Sequence, residues 1–348
     1  MSQKVVSVGG KQIGGGNPIL VQSMTNTPTI DAEKTLSQIN ELVEAGCDIV
    51  RLAVSNEKEV ISSKNIINEA KVPLVADIQF DYKLAIACAD IGFSKIRFNP
   101  GNIGNESKVK EVVVACKRNN VPIRVGVNGG SLDKEIAQKY KGAEALCESA
   151  LSHVRILEKH GFYDTVISVK SSDVRTMVEA YRLIAKKCDY PLHLGVTESG
   201  AKIRGIIKSS IGIGALLLDG IGDTIRVSLT GNPVEEVKTA KMMLRSLGLS
   251  SNGVEIVSCP TCSRCEYDME RIAVELEDKL SNITQRIKVA VMGCIVNGKG
   301  ESADADVAVC GGKGGKVAIF FKGEPYKTAT SDTAISEVMM LIEKLCKK

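Results

Sequence analysis

A chain of 348 residues is long enough for two domains of the usual ~100–200 residues each. Its 44% hydrophobic and 25% charged residues exclude a disordered or collagen-like polymer. Lysines and arginines number 45 against 41 acids, a net charge of +4, with no basic run, no Trp and 4% aromatics. Neither a basic footprint nor a base-stacking platform is present, so nucleic acid is not an expected partner. No apolar stretch nears the roughly 20 residues of a membrane span. Residues 1–16 are polar and glycine-rich, unlike a signal peptide. The expectation is a cytoplasmic globular protein whose thiols stay reduced.

From Pro18 to about Gly248 short β-branched runs alternate with longer amphipathic stretches. The expected strands are Ile19–Ser23, Asp48–Val54, Leu74–Phe80, Lys95–Asn99, Ile123–Asn128, Thr165–Ser171, His193–Glu198 and Thr224–Leu229. Helical patterns lie between them, as in Leu36, Ile39, Leu42 and Val43 at three- and four-residue steps. Gly46, Gly92 and Gly161 stand where helices end. About eight βα units point to a TIM (β/α)8 barrel, with a doubly wound open sheet as the alternative.

The strands are apolar on one face and polar on the other. Ile96 and Phe98 oppose Lys95, Arg97 and Asn99; Ile167 and Val169 oppose Ser168 and Lys170. Charge buried without partners is strongly penalised, so these side chains are expected to converge on a wet mouth at the strands' C-terminal ends, or else to fill the barrel with internal ion pairs. Arg51, Arg97, Arg124, Lys170 and Arg226 outnumber Asp77 and Glu198. That excess favours an anion, and forked guanidinium groups suit phosphate.

Leu247–Gly253 breaks the rhythm and reads as a linker between a barrel over 1–248 and a smaller α+β domain over 254–348. In the second, strands are expected at Val254–Ser258, Ile287–Met292, Asp306–Val309 and Val317–Phe321, with helices at Asp268–Ile283 and Asp332–Leu345. Gly311–Lys316 lacks the phosphate-loop pattern and reads as a hairpin turn. His153, His160 and His193 lack ligand spacing and read as packing or surface residues.

Of the 11 cysteines, most are scattered singly through helical stretches, but Cys259, Cys262 and Cys265 cluster directly after a strand. Gly293–Glu301, containing Cys294, also follows a strand, and two such loops on one sheet edge suit a shared metal. Spacing alone leaves three readings open: a structural zinc site, a ferredoxin-like cluster on Cys259, Cys262 and Cys265, or Cys259, Cys262 and Cys294 with a fourth ligand that is not sulfur.

Ser-Cys-Pro-Thr-Cys-Ser-Arg at 258–264 and Met-Gly-Cys-Ile-Val-Asn-Gly-x-Gly-Glu at 292–301 resemble the 4-hydroxy-3-methylbut-2-enyl diphosphate synthase family. The barrel segments Val21–Thr27, Phe98–Gly104 and Val125–Leu132 resemble it too, so the likeness spans essentially the whole chain. The resemblance implies a barrel followed by an iron–sulfur domain. Cys259, Cys262 and Cys294 would then hold a 4Fe–4S cluster, with Glu301 as fourth ligand, a hard oxygen that substrate can displace. It implies 2-C-methyl-D-erythritol 2,4-cyclodiphosphate as substrate, opened with two electrons from flavodoxin or ferredoxin, and a head-to-tail homodimer. Arg51, Arg97, Asn99, Arg124, Asn128, Lys170 and Ser228 match positions that grip the diphosphate; Asp77 matches an acid at the mouth and Glu198 a candidate acid/base.

The chain departs from the family pattern at Lys299, where Pro is common, at Gln79, where His is common, and at Cys265, an extra thiol expected not to ligate. Arg226 has no matching role, and an internal ion pair is expected for it. Two rivals stand beside this reading: a phospholigand-binding barrel with a zinc module, and a pterin-type barrel whose second domain is only an electron carrier, with Cys265 as a fourth ligand.

Overall fold

Eight parallel strands close on themselves in the first of two compact units, Met1–Leu249, of a computed structural model. The structure describes residues 2–347 except 104, 130, 131, 133, 251, 252 and 282. Gly104, Gly130 and Ser131 of the barrel motifs, and part of the expected linker, therefore lie outside the described residues, as does the side chain of Lys299.

The unit opens with a hairpin, β1 (Val5–Val8) and β2 (Lys11–Gly14), which the polar, glycine-rich composition had concealed. Alternation does the work: Val6, Val8 and Ile13 are buried against Ile49, Val75 and Val166 of the barrel. These belong to the barrel strands β3 (Leu20–Met24), β4 (Ile49–Ala53), β5 (Leu74–Asp77), β6 (Lys95–Phe98), β7 (Ile123–Asn128), β8 (Thr165–Lys170), β9 (His193–Leu194) and β10 (Thr224–Ile225). The order is β8-β7-β6-β5-β4-β3-β10-β9, and a parallel bridge between Ile167 and Leu192 joins its two ends. A barrel, not an open sheet, results. The hairpin covers apolar inward residues at the N-terminal end, which leaves the C-terminal end for a site.

The helices between strands bury their apolar stripes on the outward strand residues. Ile39, Leu42, Val112, Cys116, Met177 and Ile184 share one core with Ile96, Phe98, Ile123, Val125, Ile167 and Val169. The single cysteines Cys47, Cys88, Cys116 and Cys147 are buried. Gly92 ends the helix Tyr82–Ile91 at φ 104°, a left-handed conformation that only glycine adopts cheaply.

Strands β9 and β10 are much shorter than the expected His193–Glu198 and Thr224–Leu229. A Cβ on Gly195 would stand 2.8 Å from the Arg226 carbonyl oxygen and 3.1 Å from Lys170 Nζ. Glu198 then takes φ 52°, which ends any extended run. The chain leaves the ladder to form the mouth.

The second unit, Ser250–Lys348, is a five-stranded sheet ordered β11 (Val254–Ser258), β12 (Ile287–Met292), β13 (Val307–Gly311), β14 (Lys316–Phe321) and β15 (Glu324–Thr330). The first three are parallel and the last two antiparallel. Helices Met269–Leu280 and Ser331–Cys346 cover one face through Ile272, Leu276, Val338 and Leu341 on Val289, Val291, Val307 and Val309. The 311–316 segment is a hairpin turn, closed by Gly312 N–H to the Lys316 carbonyl at 2.8 Å.

Two expectations need correction here. Strand β15 was not anticipated, because it is a polar edge strand carrying Pro325 with only Ala329 buried. The Gly293–Glu301 segment is not a loop throughout: Cys294 is the N-cap of a helix, Ile295–Ala303, which contains Glu301.

Candidate functional site

The inward residues of the barrel strands line a cavity of ≈ 210 Å³ at the C-terminal mouth. Arg51, Asp77, Arg97, Arg124, Asn128, Lys170, Arg226 and Ser228 all face it, together with Gln79, Gly126, Ser168 and Thr197. The two-residue period of a strand explains the gathering: Arg97, Arg124 and Asp77 are register partners or near neighbours on adjacent strands.

Asp77 organises the cations. It accepts from Arg97 Nη1 at 2.9 Å and stands 3.7 Å from Arg51 Nε. Burial pushes the Asp77 carboxyl up, but Arg51, Arg97 and Arg124 outweigh it and hold the group below its ordinary range. Arg51 also lies against Met24, with Nε and Nη2 at 3.0 and 2.9 Å from Sδ. Its guanidinium is pushed down to about 10 by burial. Arg226 pairs with Glu236 at 3.3 Å, so the ion pair expected for it is present, although it also lines the cavity.

Arg124 has no such carboxylate among the described residues. It is 1% exposed, and its Nε and Nη1 find no hydrogen-bond partner among the described residues. Burial, then Arg51 and Arg97, lower its pKa. Lys170 is lowered well below the lysine range by burial and by Arg226, Arg51 and Arg124. Below this layer Lys95 is 0% exposed, with Nζ unpartnered among the described residues. Its pKa too is lowered, first by burial, then by Arg124 and Arg51. Cations exceed acids here, and buried guanidinium atoms without a protein partner suit a charged acceptor.

Two expected residues stand apart. Asn99 is buried but caps the short helix Pro100–Ile103, its Oδ1 accepting from Gly101 N at 3.1 Å, and it does not line the cavity. Glu198 is exposed beyond β9 and does not line it either. The histidines occupy packing positions, as expected. His193 is fully buried, with Nδ1 2.8 Å from Thr224 Oγ1, and His153 is buried, whereas His160 is half-buried beside Glu106.

Glu236 was not anticipated. It sits on the helix Pro233–Ser246, yet reaches inward to Arg226, Ser23 Oγ at 2.9 Å and Leu229 N at 3.0 Å. A helical acid reads as surface in sequence; only the clustering of Ser23 and Arg226 on inward strand positions hints otherwise.

In the second unit the parallel pairing of β11 and β12 brings the ends of both strands to one edge. Cys259 Sγ accepts from Gly293 N at 3.2 Å, placing it beside Cys294. The Arg264 guanidinium is hydrogen-bonded to the Cys294 side chain and faces Cys262 and Cys259, which together hold it above its ordinary range. Cys259, Cys262 and Cys294 are soft sulfur donors of the type that suits thiophilic iron. Cys265 Sγ instead turns to the Tyr267 carbonyl at 3.2 Å. Among the described residues no three of Cys, His, Asp and Glu are arranged to hold a single metal ion.

A parallel barrel with a cation-lined cavity at its C-terminal mouth defines an anion-binding (β/α)8 protein, here carrying a thiol-rimmed α+β unit. The chain belongs to the GcpE family: the GcpE TIM-barrel domain matches residues 3–241 and the GcpE protein C-terminal domain residues 255–344. It is 55% identical over 345 residues to 4-hydroxy-3-methylbut-2-en-1-yl diphosphate synthase (flavodoxin) of Caldanaerobacter subterraneus subsp. tengcongensis, covering 99% of this chain and 97% of that one. The protein of the same name from Clostridium perfringens is 54% identical over 342 residues, covering 98% of each. Among solved structures, 7,8-dihydropteroate synthase from Vibrio fischeri ES114 superposes with a TM-score of 0.51 at 14% identity, over 70% of this chain and 98% of that one. That likeness shows the barrel fold alone.

Proposed function

We propose that the protein is a 4-hydroxy-3-methylbut-2-enyl diphosphate synthase, acting reductively on 2-C-methyl-D-erythritol 2,4-cyclodiphosphate. The observation that carries this is the charge imbalance of the barrel cavity. Arg51 and Arg97 share Asp77, while Arg124 and Lys170 face the same space with no carboxylate of their own within salt-bridge reach among the described residues. A diphosphate supplies the missing negative charge, and guanidinium forks bind its oxygens in pairs. Asn128, Ser228, Ser168 and Thr197 complete a polar lining suited to the hydroxyl groups of a short polyol.

In this reading Cys259, Cys262 and Cys294 hold a 4Fe–4S cluster, with Glu301 as the exchangeable fourth ligand. Such a cluster would supply single electrons, two per turnover, drawn from flavodoxin or ferredoxin. The ring C–O bond opens, the substrate gains two electrons, and a hydroxyl departs as water with the double bond left behind. The barrel cations hold the freed diphosphate terminus as the ring opens, which stabilises the charge that develops there. Glu198, exposed at the mouth, is assigned proton transfer, and Asp77 the orientation of Arg51 and Arg97. Asn99 keeps its assignment to the diphosphate grip only through the short helix it caps. The barrel over 1–248 binds substrate and the α+β domain over 254–348 carries the cluster. The working assembly is the expected head-to-tail homodimer, in the cytoplasm.

The test is iron, zinc and acid-labile sulfide per chain after anaerobic purification, followed by turnover of the cyclic diphosphate. About four irons and four sulfides are expected. One zinc and no sulfide would give the zinc-module rival first place. Gel filtration showing a fully active monomer would remove the dimer.

A further inference from the structure

The helix Ile295–Ala303 is poorly made for standing alone. It spans nine residues, holds Gly298 and Gly300, and its N-cap Cys294 forms no side-chain capping bond. Glycine weakens a helix interior, and so short a helix is marginal in water. Its seat on the sheet must therefore come from contacts with another element.

The buried face shows which one. A Cβ on Gly298 would lie 2.7 Å from Sγ of Cys310, on strand β13, so glycine lets the helix backbone approach that sulfur. One turn on, Ser302 is 1% exposed, and its Oγ lies 2.9 Å from the same sulfur. The same hydroxyl donates to the Gly298 carbonyl oxygen. A hydroxyl has one proton to give. Since Ser302 gives it to Gly298, the bond to Cys310 has the thiol as donor: Cys310 S–H to Ser302 Oγ–H to Gly298 O. Cys310 is 0% exposed, and burial raises its pKa, which keeps that proton in place.

We propose that Cys310 and Ser302 are a positioning pair that fixes the helix on β13 and thereby places Cys294, its N-cap, and Glu301, in its last turn. This rests on the reading that those two residues bind the cluster. Cys310 is then a permanent thiol, the opposite of a ligand, although it lies close to the sulfur-rich edge.

The experiment compares wild type with Ser302→Ala, Cys310→Ala and Cys310→Ser, the last retaining a small donor. On the iron-free full-length chain, amide hydrogen exchange over residues 295–303 should quicken about tenfold in both alanine variants, the effect of orphaning a buried group, while Cys310→Ser stays near wild type. On the anaerobically reconstituted protein, limited ferricyanide should release one iron per cluster about tenfold faster in the same two variants, the scale of one disturbed ligand contact. The Mössbauer signal of the unique iron should broaden with it. Unchanged exchange overturns the pair. Faster exchange with unchanged iron release overturns its positioning role and leaves a structural contact. A wild type that takes up no cluster sinks the metal reading instead, and exchange still decides whether the pair holds the helix.

Discussion

Asp77 accepts a hydrogen bond from Arg97 at 2.9 Å across the β5–β6 register, and this one carboxylate also serves Arg51. It makes a cation-rich barrel mouth tolerable before any ligand arrives, because two guanidinium groups share one negative charge. Arg124, on the next strand, keeps Nε and Nη1 without a hydrogen-bond partner among the described residues.

Removing that carboxylate should expose the cost. Asp77→Asn leaves buried cations uncompensated and is expected to lower barrel stability by about 3 kcal/mol at pH 7, measured by urea unfolding. The sign with pH follows from the held-down carboxyl. A folded pKa below the unfolded value of roughly 3.9 gives stabilisation that is full above that value and disappears as pH falls through the folded one. The gap between variant and wild type should therefore close in acid. A gap independent of pH would show that Asp77 acts through something other than charge.

Gly126 sets the position of the Arg97 side chain. A Cβ there would stand 2.8 Å from Arg97 Nε and 2.9 Å from Nη2, and the guanidinium is the movable party. Gly126→Ala should swing it away from Asp77 and weaken inorganic pyrophosphate binding about tenfold, the worth of one charged hydrogen bond. Calorimetric titration checks this; equal affinity would mean that Arg97 does not touch the anion.

Lys95 should leave its mark on stability. Buried, and crowded by Arg124 and Arg51, it has a folded pKa well below that of the unfolded chain, roughly 10.4. Arg124 keeps its proton, being by far the stronger base, so the lysine is the group that yields. The unfolded chain then binds one more proton than the folded one between the two pKa values, and stability falls as pH drops through that window, by up to about 1.4 kcal/mol per pH unit. Lys95→Met should flatten this slope as pH falls from about 10, the unfolded lysine range. An unchanged slope would show that Lys95 is charged in the fold.

Much of the barrel site was legible because strands repeat every two residues. Arg97 and Arg124 fall on polar faces opposite Ile96 and Val125, and the structure turns those faces inward. What escaped notice depends on contacts between distant elements. Glu236 looks like a surface acid on its helix until Arg226 and Ser23 meet it. The helix after Cys294 hides behind its glycines, since its stability comes from Cys310 rather than from local propensity. Asn99 fits the strand pattern but is diverted by the helix start it caps. Glu198 was expected on a strand, and its left-handed backbone turns the chain away from the ladder.

Cys265 satisfies its thiol on the Tyr267 carbonyl at 3.2 Å, whereas Cys259 approaches Gly293, and Cys294 and Cys262 face Arg264. Cys265→Ser should retain that carbonyl contact through its hydroxyl and keep iron and sulfide at wild-type levels. Serine at Cys259, Cys262 or Cys294 should lose most of both, because an alkoxide-forming hydroxyl is a poor substitute for thiolate on iron. Arg264→Ala, by contrast, removes a cation beside the sulfurs and should leave the iron content intact while lowering the reduction potential, since positive charge nearby favours the added electron. Iron and sulfide assays with redox titration of each variant separate the two roles. Loss of the cluster in Cys265→Ser would transfer the fourth ligand from Glu301 to sulfur and favour the electron-carrier rival.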